Sequence, residues 1–361
     1  MPNSAYIHIP FCLSKCKYCS FISFKKINFI PEYIDSLIQE ILKSYKGEPL
    51  KTLYFGGGTP SLVPIKLLEK IIKLFDFTQN AEITIEVNPD SVSKEYLRGL
   101  KQIGFNRISI GSQTFDDYIL RLIGRRHNSE QIEKAVKNAK SAGFKNISLD
   151  LIYGLPAQTI ESLEKDLKRL IELDIEHIST YGLKIDEGCY FASNRPKKLP
   201  NDDMQADMYL LVNETLEKSG FSRYEVSNFS KQNFESRHNL NYWNNEEYYG
   251  FGVAAHGYID GIRYSNQTTI EKYCENPLIH NETHALSEQE RLEEEIFLGF
   301  RKREGINTAL IKQKYGIEFE NKYKDILKKY SDYIEKTPTG YSLNINGVLL
   351  SNEILSEFIQ L

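Results

Sequence analysis

The stretch Tyr6-Ile7-His8-Ile9-Pro10-Phe11-Cys12-Leu13-Ser14-Lys15-Cys16-Lys17-Tyr18-Cys19 carries a β-branched run directly into three cysteines. The run predicts a strand over residues 5–9, which puts the cysteines on the loop at its carboxyl end. Cys189 and Cys274 stand alone, bringing the total to 5, an odd number that does not suit a disulfide framework. Clustered thiols point to a metal, whereas isolated ones read as small buried hydrophobes.

Outward from this loop the pattern repeats. Further strands are predicted at 52–55, 82–87, 107–111, 146–151 and 177–181. Between them, apolar residues recur at helical spacing over 31–45, 65–75, 94–103, 131–142 and 159–173. Six strand–helix units in series predict a parallel α/β sheet, because parallel strands need crossovers and helices supply them. An open doubly wound sheet and most of a (β/α) barrel both satisfy that count.

The strand ends carry the unusual residues. The second strand leads into Gly56-Gly57-Gly58-Thr59-Pro60, the third into Glu86-Val87-Asn88-Pro89 and the fourth into Gly111-Ser112-Gln113. The fifth leads into Tyr153-Gly154-Leu155-Pro156, and the sixth ends at Tyr181. Chemistry gathered at the carboxyl rim is where parallel α/β folds place their sites.

Charge and composition narrow the function classes. With 45 Lys+Arg against 49 Asp+Glu the chain is net −4, so no overall positive field draws nucleic acid or an anionic membrane. The apolar runs are far short of a bilayer span, and Met1-Pro2-Asn3-Ser4 lacks the basic flank and apolar stretch of a signal peptide. A cytoplasmic protein without direct membrane insertion is expected. From residue 271 the alternation stops, giving an expected division into 1–270 and 271–361. Helices over 287–303, 308–315, 318–330 and 351–359 and a hairpin of 333–336 with 341–345 suggest a small winged-helix-like α+β module. Residues 285–361 hold 11 Lys+Arg and 13 Asp+Glu, so a packing or docking role fits better than DNA reading.

Three thiolates at C-x₃-C-x₂-C can hold three irons of a cubane cluster and leave the fourth without a protein ligand. Zinc on the same cysteines with His8 is the competing set. Against it, His8 lies within the predicted strand and shares a face with Tyr6 and Pro10. A second constellation, Arg237-His238-Asn239-Leu240-Asn241-Tyr242-Trp243, combines an imidazole with the only tryptophan of the chain. An imidazole can ligate haem iron while flat rings cover the macrocycle, and a packed, hydrogen-bonded core histidine is the plainer reading.

The Tyr6–Cys12 segment, the cysteine triplet and Gly56-Gly57-Gly58-Thr59-Pro60 together resemble the radical S-adenosylmethionine (SAM) superfamily. Within it they are similar to the branch of oxygen-independent coproporphyrinogen III oxidases and HemW-type haem chaperones. The resemblance implies a partial (β/α)6 TIM-like barrel, a 4Fe-4S cluster on Cys12, Cys16 and Cys19, and SAM at its open iron. It implies SAM contacts at Tyr6, Tyr18, Gly57, Gly58, Thr59, Glu86, Gln113, Arg125 and Asp150, and a haem b site at His238, Asn239, Tyr242 and Trp243. His256 matches a further family histidine with no role derivable from the sequence. Three features separate the two branches. The oxidases carry a fourth cysteine where this chain has Phe21, they carry an N-terminal extension for which Cys12 leaves no room, and His-Asn-x-x-Tyr-Trp fits the chaperones. The expected function is therefore haem binding and delivery to respiratory haem proteins, with homodimerisation implied by the same resemblance. Oxidative decarboxylation and a related radical SAM methyl transfer are the alternatives.

Overall fold

A computed structural model describes residues 1–359. The six expected strands form as β1 (Ser4–Ile9), β2 (Leu50–Gly57), β3 (Phe77–Val87), β4 (Arg107–Gln113), β5 (Ile147–Tyr153) and β6 (His177–Gly182). Each pairs in parallel with the next in chain order. Helices Ile30–Ser44, Ile65–Ile72, Lys94–Gln102, Ser129–Ser141 and Ile160–Glu172 supply the crossovers. Their apolar stripes are the buried ones: Tyr33, Ile34, Leu37 and Ile41 of the first helix face the sheet.

A parallel sheet covered on both faces normally reads as continuous apolar runs. Here the strands alternate. In β4, Ile108 and Ile110 enter the helix-side core, while Arg107 and Ser109 point the other way. The inner face is polar because it lines a cavity, so the alternation is a consequence of the site.

Strands β1 and β6 do not pair with each other, and the barrel is partial. Three late strands extend the two edges. On β6 lies β8 (Asn228–Ser230), antiparallel and itself paired with β7 (Ser222–Arg223). On β1 lies β9 (Tyr249–Phe251), parallel. Buried polar groups clamp this second edge. The Tyr33 hydroxyl donates to His8 O (2.6 Å) and accepts from Val253 N (3.1 Å). Glu40, 2% exposed, accepts from Gly252 N, the Asn266 amide and the Tyr273 hydroxyl. Burial pushes its carboxyl up to about 7 against those three bonds.

A three-stranded antiparallel sheet follows, β10 (His256–Ile259), β11 (Ile262–Asn266) and β12 (His280–Ala285). The expected division at 270/271 falls at the start of helix Ile270–Glu275, whose Tyr273 packs on Tyr33 in the main core. The second core begins later, at Leu292, and gathers Ile296, Phe300, Phe319, Tyr323 and Phe358. The start of the expected second unit is thus packed on the barrel core through Tyr273. The C-terminal module is the expected small α+β unit, with strand Gly340–Leu343 between Ile334–Lys336 and Ile306–Asn307. The third strand has two residues, too short to leave a period in the sequence. Among the described residues no helix is long and apolar enough to cross a membrane.

Candidate functional site

The loop after β1 is fixed at both ends and at its tip. Cys12 N donates to Phe24 O (3.0 Å) and Phe24 N to Pro10 O (2.6 Å), closing its base. Lys17 N donates to Ile123 O and Phe191 N to Lys17 O, both at 2.9 Å, so the end of helix Asp117–Leu122 and the short helix Tyr190–Ser193 hold the tip. All three cysteines are free and half-buried, and they line one cavity of about 480 Å³ at the carboxyl rim.

Donors are aimed at two of the sulfurs. Arg125 Nη1 lies 3.6 Å from Cys16 Sγ, and its other terminal nitrogen donates to Asn88 Oδ1 (2.7 Å) and to Gly111 O. Asn88 Nδ2 donates to Thr59 Oγ1 (2.9 Å), which stands 3.6 Å from Cys12 Sγ. Because Thr59 accepts from Asn88, its own proton is free for the sulfur. One polar chain therefore runs Cys12–Thr59–Asn88–Arg125–Cys16 across the ends of β2, β3 and β4. N–H and O–H groups directed at sulfur suit thiolates, which bind metal, better than neutral thiols. The zinc alternative has no fourth ligand here. His8 engages both ring nitrogens, with Tyr6 Oη and Ile22 O at 3.0 Å each. Among the described residues no group of three or more His, Cys, Asp or Glu, the cysteine trio included, is drawn together around one point, so this spacing does not itself separate zinc from a cluster.

The expected SAM residues mostly meet in this cavity: Tyr18, Gly57, Gly58, Thr59, Glu86, Gln113, Arg125 and Asp150 all line it. Gly57 N donates to Glu86 Oε2 (3.2 Å), and the Tyr54 hydroxyl to Glu86 Oε1 (2.8 Å). Burial, aided by the nearby Asp150 charge, pushes the Glu86 carboxyl up to about 7. Asp150 is raised by burial as well, opposed by hydrogen bonds from Ser179 and Ser109. Gly57 has φ +110°, and a Cβ there would lie 2.5 Å from the His8 ring. The glycines are thus required where β2 passes β1, whether or not a ligand approaches. Gln113, at φ 69°, sits on a register shift between β4 and β5 that turns it into the cavity.

Tyr6 is placed differently. It stacks on Tyr54 (6.1 Å between centroids) and lines a neighbouring hollow, not the cysteine cavity. The His-Asn-x-x-Tyr-Trp segment is helix Arg237–Trp243, and it disperses its residues. Asn239 reaches the cysteine cavity, Tyr242 the neighbouring hollow, and half-buried Trp243 lines neither. His238, 1% exposed, lies beneath the cavity. Its Nδ1 bonds Thr52 Oγ1 (2.7 Å), its Nε2 bonds Tyr242 Oη (2.8 Å), and its ring stacks on Tyr54 at 5.0 Å. Burial lowers its pKa to about 3. In this arrangement the imidazole offers no lone pair to iron, which departs from the haem-ligand expectation.

Arg107 was not anticipated. It lines the cavity floor at 2% exposure, and its Nε has no hydrogen-bond partner. Its position on the polar side of an alternating strand was the available signal.

Residues 6–170 match the Radical SAM superfamily, and residues 286–350 match the HemN C-terminal domain. The chain is 38% identical over 375 residues to the haem chaperone HemW of Bacillus subtilis, with 99% of both chains covered. It is 39% identical to HemW of Lactococcus lactis, with 96% of both covered. Among solved structures, the coproporphyrinogen III oxidase HemN of Escherichia coli, a radical SAM enzyme, superposes with a TM-score of 0.87. That match has 26% identity and covers 99% of this chain and 90% of the other. Full-length identity well above 30%, joined to a cysteine cavity at the rim of a partial barrel, places the chain in the HemW family of the radical SAM superfamily.

Proposed function

We propose that this protein is a haem chaperone that carries a 4Fe-4S cluster with SAM, binds haem b and hands it to respiratory haem proteins. The observation that carries the reading is the donor chain from Cys12 to Cys16, on a chain similar from end to end to haem chaperones. When bound, the cluster supplies an open iron for the amino and carboxylate groups of SAM. The chain's own residues do the rest. Cys12, Cys16 and Cys19 hold the metal, and Arg125 and Thr59 offset thiolate charge. Glu86, already fixed by Gly57 N and Tyr54, has acceptor capacity left for ribose hydroxyls. Gln113 and Asp150 present polar groups further round the rim, and Tyr18 walls one side.

Phe21, which stands where the sequence resemblance leads one to expect a fourth cysteine in an oxidase, is 65% exposed beside the cysteine loop. Its apolar surface suits a chaperone's apolar cargo. The test is side by side: reconstitute the cluster without oxygen, then assay haem retention and coproporphyrinogen III decarboxylation. Haem retention without product supports the chaperone. Product formation overturns it in favour of the oxidase.

A further inference from the structure

The hollow beside the cysteine cavity has a volume of about 500 Å³ and is walled mainly by apolar surface. Tyr6, Phe21, Tyr242 and Tyr248 contribute aromatic surface, and Tyr242 and Tyr248 brace each other edge to face at 4.6 Å. At its margin stands His256, the first residue of β10, exposed to solvent.

This histidine differs from every other in the chain. Of the 7 histidines, the rings of His8, His127, His177, His238, His280 and His284 all form hydrogen bonds. No hydrogen bond is found for the His256 ring among the described residues, so both nitrogens are open. An imidazole with a free lone pair, next to aromatic surface, is the combination that ligates the iron of a flat metalloporphyrin and covers its faces.

We infer that this groove is a haem site, with His256 as an axial ligand and Phe21, Tyr242 and Tyr248 against the macrocycle. The inference rests on the haem-chaperone reading and deepens it. It also gives the His-Asn-x-x-Tyr-Trp helix a part in haem binding through Tyr242, while His238 holds the Tyr242 hydroxyl from behind. The residues lining the groove include Glu282 and no Lys or Arg, so the groove offers no cation to pair with the two carboxylates of a haem. Ser20 and Phe21 line both hollows, so the cysteine loop is the partition between the haem groove and the cluster cavity.

The experiment titrates ferric haem into the full-length chain and reads the Soret band and the axial-ligand signature by magnetic circular dichroism. His256→Ala is expected to weaken binding at least tenfold and to lose the histidine signature, with free imidazole restoring the band. Phe21→Ala is expected to weaken binding while keeping the signature. Thermal unfolding of His256→Ala and His256→Gln, expected unchanged for an exposed ring without bonds, verifies that the fold is intact. If wild type binds haem and His256→Ala keeps both affinity and signature, the groove assignment is overturned and the chaperone reading stands. If wild type itself retains no haem, the chaperone reading falls and the assignment with it. A third outcome, unchanged haem binding with weakened SAM binding in cluster-loaded His256→Ala, gives the groove to the nucleotide and likewise overturns the inference.

Discussion

Replacing His238 by leucine separates a structural role from a haem-ligand role. The change orphans two hydroxyls, Thr52 Oγ1 and Tyr242 Oη, each within 2.8 Å of the ring. A buried polar group left unpaired costs roughly 1–3 kcal/mol. Losing the ring contacts with Tyr54 and Tyr242 adds about 0.5–1.5 kcal/mol, and the apolar side chain recovers part of this by avoiding imidazole desolvation. The net expectation at pH 7.5 is a loss of about 2–5 kcal/mol, a fall of about 1–2 M in the urea midpoint if m is near 3 kcal/mol/M. The effect has a pH signature. The imidazole titrates near 6.5 unfolded and about 3 folded, so its contribution is complete above 6.5 and is lost as pH falls toward 3. Leucine has no such titration. The difference between wild type and variant therefore shrinks by about 2 kcal/mol between pH 7.5 and pH 5, at 1.36 kcal/mol per unit. Urea unfolding at both pH values, with haem titration of the folded variant, checks all three statements. A variant with unchanged stability and no haem spectrum would refute the structural role and restore His238 as ligand.

Three further expectations follow from the site. Arg125→Lys cannot reproduce the planar fork that meets Cys16, Asn88 and Gly111, so iron and sulfide retained after reconstitution should fall by half or more. Gly57→Ala meets both a left-handed backbone and the His8 ring at 2.5 Å, whereas Gly104→Ala, at φ +113°, meets open space. The first should lower the melting temperature by several degrees more than the second, about 1–3 kcal/mol of overpacking added to a shared backbone penalty. Glu86 ionises in the folded protein near pH 7, so SAM affinity measured by equilibrium dialysis should rise from pH 6 to 8 as the acceptor carboxylate forms. The same raised pKa makes folding stability fall as pH climbs from about 4.5 to 7, and Glu86→Gln should flatten both profiles.

The rim was legible because function had broken local rules there: glycines, a clustered thiol set and polar strand ends interrupt otherwise ordinary strand–helix units. The central sheet was legible because Ile108, Ile110 and their counterparts must face the helices. What escaped the sequence depends on distant partners. Strand β9 is three residues long and exists only through its pairing with β1, some 240 positions away in the register Ala5–Tyr249. Strand β12 is exposed along its whole length and carries no apolar alternation. The fate of His238 was set by Thr52 and Tyr54, which pack against it from another part of the chain. The openness of His256 is visible only once the partners of the other histidines are known.

The proposed function rests on a cluster held by three thiols of one loop. The most direct measurement is iron and sulfide stoichiometry with EPR on dithionite-reduced protein after anaerobic reconstitution, for wild type and for Cys12→Ala, Cys16→Ala and Cys19→Ala. Wild type is expected to hold about four iron and four sulfide per chain with a reduced-cluster signal, both lost in each variant. A colourless, EPR-silent wild type that instead binds one zinc would contradict it.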